Sequence, residues 1–144
     1  MVPSYKNSIG FKINQTANRI NNRFNEVLNQ YDIAPEQRAT LEIIKTDKNT
    51  NQKEIASILG KNKTTISRSL KALEKKGFIK RVEIKEDKRV NIIELTQKGE
   101  EVLKESAKSV AQFRQNLSLN LQEEEIKQLF SLLDKVYKNI KETF

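Results

Sequence analysis

The sequence predicts a mostly α-helical fold with one small β-hairpin, and two observations support this. Over most of the chain the apolar residues recur at steps of three and four, the spacing of one face of an α-helix. Only after Gly77 does the spacing change toward two, the period of a strand. With 144 residues, of which 36% are hydrophobic and 32% charged, the chain suits one domain with an appended helical arm.

The first two predicted helices precede residue 50. Between residues 8 and 31 one apolar stripe predicts a long helix: Ile9, Ile13, Ala17, Ile20, Phe24, Val27, Leu28 and Tyr31. A second helix is expected to begin at Pro35, because proline fits a first helical turn and keeps Ala34 extended. It should end in the polar segment 46–50.

The next two predicted helices are short and close together. The first spans about residues 52–59, with Asn51 as its N-cap and Gly60 as its end signal. The second follows the N-cap Asn62 and continues toward Gly77, and its buried line is Ile66, Leu70 and Leu73. Two helices about a short turn that contains glycine predict a helix-turn-helix.

A hairpin and two long helices are predicted to complete the chain. Strands over residues 78–84 and 90–95 should flank a wholly charged tip at 85–89. Thr96 is expected to cap a helix that reaches Phe113 or Leu117. A last helix should begin near Gln122, with the apolar stripe Ile126, Leu129, Phe130, Leu133, Val136, Tyr137 and Ile140.

The charge distribution points to a polyanionic partner. The net charge is +8, and residues 51–99 alone hold 13 Lys and Arg against 6 Asp and Glu, which is 13 − 6 = +7. With no Cys and no His, thiolate metal sites and the usual catalytic triads are excluded. We therefore expect no cofactor, no metal and no enzyme. Because no apolar run approaches the roughly 20 residues that span a bilayer, we expect a cytoplasmic protein without a membrane partner.

The helix after Asn62 has a face suited to a DNA groove. Turning about 100° per residue from Ile66 puts Thr64, Arg68, Lys71 and Lys75 opposite the buried line, with Ser67 beside them. Arginine can donate two hydrogen bonds to guanine, and lysine neutralises phosphates. An ordinary solvated helix face would have a similar composition. The position of this helix directly after the turn of a helix-turn-helix nevertheless favours groove binding.

The charged hairpin supports the same prediction. Lys85, Lys88 and Arg89 can reach an adjacent minor groove, and Asp87 is expected to pair with and orient an arginine. The alternative is a turn whose charges serve only solubility. The complete set of predicted DNA-binding residues is Asn62, Lys63, Thr64, Thr65, Ser67, Arg68, Lys71, Lys85, Asp87, Lys88 and Arg89.

Three motifs and their joint spacing resemble the MarR family of bacterial transcription regulators. They are LEKKGFIKR at residues 73–81, DKR at 87–89 and LTQKG at 95–99, and the resemblance covers essentially the whole chain. It implies a homodimer that places two winged helix-turn-helix lobes on a pseudo-palindromic DNA site. Repression is the default expectation, although an activator would use the same contacts. The resemblance further implies that Asp87 and Arg89 form the wing motif and that the following residues face the major groove: Thr64, Thr65, Ser67, Arg68 and Lys71.

The family's known sensing mechanisms carry over only in part. Peroxide sensing through Cys and zinc sensing through His are excluded here, because both residue types are absent. Other members bind small aromatic anions, so an inducer of unknown identity remains a candidate partner. Phe11, Arg19 and Arg38 are candidate residues for such a site, although we favour ordinary core or surface roles for all three.

The apolar stripes also predict a division of the chain. We expect residues 34–96 to form the DNA-binding lobe and residues 1–33 and 97–144 to form a helical dimerisation region. On a monomer the stripes would leave apolar patches exposed, which a twofold partner would cover; a closed monomeric core is the alternative. The predicted interface residues are Ile9, Ile13, Ile20, Leu117, Leu119, Leu121, Val136, Tyr137 and Ile140. The alternative function is a winged-helix module that binds an acidic protein or RNA.

Overall fold

The computed structural model describes residues 4–84 and 87–143, with side chains described at 4–83 and 92–141. This part of the chain contains six α-helices and a two-stranded antiparallel sheet, which confirms the predicted fold class. The elements are α1 (Ile9–Leu28), α2 (Pro35–Thr46), α3 (Gln52–Leu59), α4 (Lys63–Lys75), β1 (Ile79–Ile84), β2 (Asp87–Leu95), α5 (Gln97–Leu117) and α6 (Glu123–Thr143). They form two compact units, Met1–Val110 and Ala111–Phe144.

The helix starts follow from side-chain caps. Asn51 Oδ1 accepts a hydrogen bond from Glu54 N at 2.9 Å, and Asn62 Oδ1 accepts one from Thr65 N at 2.8 Å. Both predicted N-caps are thereby confirmed. The end of α1 was predicted too late: the α-helix stops at Leu28, and a 3-10 turn, Asn29–Tyr31, leads to Asp32 in the left-handed region at φ 53°.

The hairpin differs from the prediction at both of its strands. β1 begins at Ile79 rather than at residue 78, because Phe78 N donates to Leu73 O at 3.0 Å and so still belongs to the end of α4. β2 begins at Asp87, so that Asp87, Lys88 and Arg89 lie in a strand and not in a turn. The antiparallel pairing extends to Ile84↔Asp87, after an irregularity at Glu83, and satisfies backbone groups that a longer tip would leave unpaired.

The core of the first unit lies where the helices and the sheet meet. The predicted buried line of α4 is confirmed, since Ile66, Leu70 and Leu73 are fully buried. They join Leu28 of α1, Leu41 of α2, Ile55 of α3, Phe78, Ile79 of β1, Ile93 of β2 and Val102 of α5 in one apolar cluster. Ile93 N also donates to Thr50 O at 3.1 Å, which ties the hairpin to the segment before α3.

The second unit consists of the end of α5, a short turn and α6. Gln122 N donates to Glu125 Oε1 at 2.9 Å at the start of α6, in the position where three glutamates meet the positive end of the helix. Much of the apolar stripe of α6 is exposed, including Phe130 at 66% and Tyr137 at 61%. None of the described helices combines the length and apolar character needed to cross a membrane.

Candidate nucleic-acid interface

Helix α4 separates its apolar and polar faces as the sequence predicted. The buried line holds one face against the core, while Thr64, Arg68, Lys71 and Lys75 are exposed and Ser67 is half-buried beside them. Lys63 is exposed in the first turn, and Thr65 is half-buried. The exposed face is therefore rigidly supported from behind, because the opposite side chains of the same helix are fixed in the core.

The N-terminal end of α4 is held in two ways. The side-chain oxygen of Asn62 accepts a hydrogen bond from the backbone amide of Thr65, so that the Asn62 side chain has a structural partner in the free protein. Gln52 Nε2 donates to Lys63 O at 3.3 Å and links the start of α3 to the start of α4. Together these contacts fix how the first turn of α4 is presented to solvent.

Several basic residues of the first unit are engaged in salt bridges. Arg81 Nε lies 3.4 Å from Glu74 Oε2, which joins β1 to the last turns of α4. Lys45 Nζ lies 2.8 Å from Glu100 Oε2 and joins α2 to α5. Further pairs among the described residues of this unit are Arg23–Glu26, Arg38–Glu42, Lys61–Glu36, Lys76–Asp32 and Lys80–Glu94. Each of these cations has a carboxylate beside it that partly offsets its charge, so it attracts phosphates less than a cation without such a neighbour.

The cations of the exposed α4 face behave differently. Within the described part of the chain, Lys63, Arg68, Lys71 and Lys75 form no salt bridge. Four positive charges on one short helix without carboxylate partners make a surface that attracts polyanions. All four of these cations lie within the 13 residues of α4.

Two further exposed lysines were not singled out from the sequence. Lys48 precedes α3 and Lys53 lies in its first turn, and neither forms a salt bridge among the residues described. Their place at the start of the helix-turn-helix is the signal that could have identified them, because a first helix that crosses the DNA backbone brings its own cations near phosphates.

The charged hairpin residues cannot be compared in the same way. Lys85 lies outside the described residues, as do the side chains of Asp87, Lys88 and Arg89. The backbone places the last three in β2, adjacent to the paired end of β1. The expected pairing of Asp87 with an arginine stays a prediction.

The three candidates for a small-molecule site are not brought together. Phe11 packs against Tyr5 with 4.9 Å between ring centroids, and Arg19 is exposed on α1. Arg38 is buried in the core at 4% exposure. A cleft of about 500 Å³ in the first unit is lined by other residues, among them Asn21, Phe24, Pro35 and Lys61. The described residues contain no cluster of three or more His, Cys, Asp or Glu that could hold a metal.

Comparison with known proteins agrees with this geometry. Residues 33–90 match the profile of the MarR family. YwoH of Bacillus subtilis (strain 168), an uncharacterized HTH-type transcriptional regulator, is 31% identical over 126 residues, which cover 88% of this chain and 90% of YwoH. The S. aureus MepR–DNA complex has a TM-score of 0.84 at 26% identity, covering 92% of this chain and 98% of MepR. A mutant E. coli MarR complexed with operator DNA has a TM-score of 0.82 at 27% identity. The match covers 94% of this chain and 99% of that MarR chain.

The mostly helical fold with its two-stranded hairpin is that of the winged helix-turn-helix regulators. This class comprises transcription regulators rather than enzymes. The chain belongs to the MarR family, which confirms the resemblance seen in its sequence motifs.

Proposed function

We propose that this protein is a sequence-specific regulator that binds double-stranded DNA, acts as a repressor and recognises a pseudo-palindromic operator as a homodimer. The observation that carries the proposal is a set of exposed α4 cations that form no salt bridge with any described residue: Lys63, Arg68, Lys71 and Lys75. The opposite face of the helix is fully buried. The DNA complexes of MepR and MarR support it, because both share the fold along almost their whole length.

In this proposal α4 is the recognition helix and enters the major groove. Arg68 is the base-reading residue, because a guanidinium can donate two hydrogen bonds to one guanine. Lys63, Lys71 and Lys75 neutralise phosphates. Asn62, Thr64, Thr65 and Ser67 are small polar residues that let the first turns approach the base edges and sugar-phosphate backbone closely.

The β1–β2 hairpin is the proposed wing. Lys85, Lys88 and Arg89 would enter the flanking minor groove, with Asp87 orienting an arginine. Pairing in β2 favours this assignment, because a strand holds Asp87–Arg89 at a fixed register along the hairpin.

The homodimer is proposed from exposed apolar surface in each unit. Ile9 is 64% exposed in the first unit, and Leu119, Tyr137 and Ile140 are 65%, 61% and 53% exposed in the second. A second copy would bury these residues together with Ile13, Ile20, Leu117, Leu121 and Val136.

In this proposal residues 34–96 bind DNA, residues 1–33 and 97–144 dimerise, and the protein works in the bacterial cytoplasm. A small molecule that binds more tightly to the dimer at one spacing of its DNA-binding lobes than at another would favour that spacing and so change the affinity for DNA.

The proposal is tested by selecting bound fragments from a pool of random genomic duplexes and sequencing them. We expect enrichment of one inverted repeat at moderate salt. The variant Arg68→Glu/Lys71→Glu should lose it, whereas the matched variant Lys104→Glu/Lys108→Glu, with the same charge change on exposed positions of α5, should not. Failure of the native chain to retain any duplex would overturn the proposal, and retention of RNA or an acidic protein instead would support the alternative module.

A further inference from the structure

The end of α4, the start of β1, the end of β2 and the start of α5 meet at one junction. The junction is formed by Gly77, Phe78, Thr96 and Gly99. Thr96 N donates to Phe78 O at 3.1 Å, and its hydroxyl donates to Gly77 O at 2.5 Å. The same hydroxyl oxygen accepts from Gly99 N at 3.1 Å. One side chain therefore caps the start of α5 and ties it to the residues that link α4 to β1.

Gly99 allows α5 to come this close. A Cβ at this position would lie 2.2 Å from Phe78 O and 3.2 Å from Phe78 C. The first of these separations is far inside van der Waals contact, and the obstructing atom is backbone rather than a flexible side-chain end. Glycine is thus required for close approach of two backbones, and not for an unusual φ.

Cations complete the attachment of the end of α4. Lys98 Nζ donates to Lys76 O at 2.8 Å and lies 5.1 Å from the centre of the Phe78 ring. Lys76 Nζ in turn donates to Asp32 O at 2.8 Å. Gly77 adopts φ 83° and lets the chain leave the helix, while Phe78 N closes on Leu73 O. The end of α4 is thereby connected to the start of α5 and to the segment before α2.

We propose that Thr96 and Gly99 are positioning residues for DNA recognition. Through the junction they fix α4, the base of the wing and the start of α5 at constant angles, so that recognition helix and wing meet the DNA as one rigid body. Gly99 is buried and Thr96 is half-buried with its hydroxyl engaged, so that neither needs to touch DNA. The inference rests on the proposed function for its binding readout.

The first test compares Thr96→Val with Thr96→Ser on the duplex selected by the native chain. Valine keeps the shape and loses both hydroxyl hydrogen bonds, and we expect it to weaken binding about tenfold, while serine should restore native affinity. The slope of log affinity against log salt should become shallower in the valine variant, because a misaligned wing contacts fewer phosphates. Loss of stability alone would leave that slope unchanged below the melting temperature.

The second test needs no DNA. Because the chain has no cysteine, spin labels at Lys75→Cys in α4 and Glu83→Cys in β1 have no native background. Mixing labelled chains with an excess of unlabelled chains leaves one labelled copy in each proposed dimer, so that the α4–β1 distance within one chain is measured. We expect a narrow distribution in the native background and a broad or shifted one with Gly99→Ala or Thr96→Val. Gly10→Ala is the matched control, since its added Cβ would meet only Ser8 Oγ at 3.8 Å.

The two tests separate the possible failures. If the native chain binds no duplex, the proposed function fails, and the spin-label distances still decide whether the junction fixes α4 against the wing. If Gly99→Ala does not fold, Thr96→Val decides. Folded Thr96→Val with native affinity, native salt slope and a native distance distribution would overturn the inference.

Discussion

The cationic side chains of this protein fall into two groups: those held by partners within the fold, and those exposed without a partner among the described residues. Arg38 shows the structural group: its Nε donates to Ser106 Oγ at 3.0 Å, and its other nitrogens reach Leu103 O and Glu42 Oε1 at 3.3 and 3.1 Å. Such a guanidinium is costly to bury but stabilises a specific arrangement of α2 against α5 once its hydrogen bonds are made. Arg68 belongs to the other group, because its surroundings impose no partner among the described residues.

Arg38→Ala should destabilise the fold by about 2 to 4 kcal/mol, because it leaves a cavity and removes the partners of buried acceptors. The free energy of unfolding from chemical denaturation measures this. Arg23→Ala removes an exposed salt bridge with Glu26 and should cost no more than about 0.5 kcal/mol. Equal effects of the two substitutions would contradict a structural role for Arg38.

Arg68→Ala should weaken specific DNA binding by about 1 to 3 kcal/mol and relax the base preference at one position of each half-site. Titration against the selected duplex and its single-base variants measures both effects. Arg19→Ala is the control, as Arg19 is another exposed arginine but lies on α1. An equal loss on specific and random duplexes would assign Arg68 to phosphates instead of bases.

For helices and strands, the sequence predicted features that depend on neighbouring residues, such as helix caps. It did not predict contacts between backbones that are distant in sequence. The caps Asn51 and Asn62 could be predicted because a cap acts within a few residues of itself. The strand start at Asp87 was missed, since alternation is weak where every side chain is charged. Gly99 was identified as part of a motif, but its contact with Phe78 depends on tertiary packing that no local pattern encodes.

Asn62→Asp tests whether the start of α4 faces DNA. Aspartate is also a good N-cap, so we expect stability within about 0.5 kcal/mol of native or higher. DNA affinity should nevertheless fall, because the new carboxylate would repel phosphates. Ser8→Asp, at the N-cap of α1, adds the same charge and should leave affinity unchanged. Matched affinities of the two variants would place the start of α4 away from the duplex.

For the whole molecule, the proposed dimer converts two weakly selective lobes into one selective reader. Tyr137→Lys/Ile140→Lys adds charges to the exposed apolar stripe of α6 and should shift sedimentation from the mass of two chains to that of one. Gln128→Lys adds a charge to α6 outside that stripe and should leave the mass unchanged. A native chain that sediments as a single copy at micromolar concentration would contradict the proposed dimer.

The most direct test of the central claim measures affinity as a function of the distance between half-sites. Two recognition helices held by one dimer should bind tightly when the half-site centres lie about one turn, roughly 34 Å, apart on one face of the duplex. Inserting five base pairs rotates one half-site to the opposite face, and we predict that affinity then falls to the level of random duplex. Unchanged affinity after the insertion would contradict paired reading by two copies of α4.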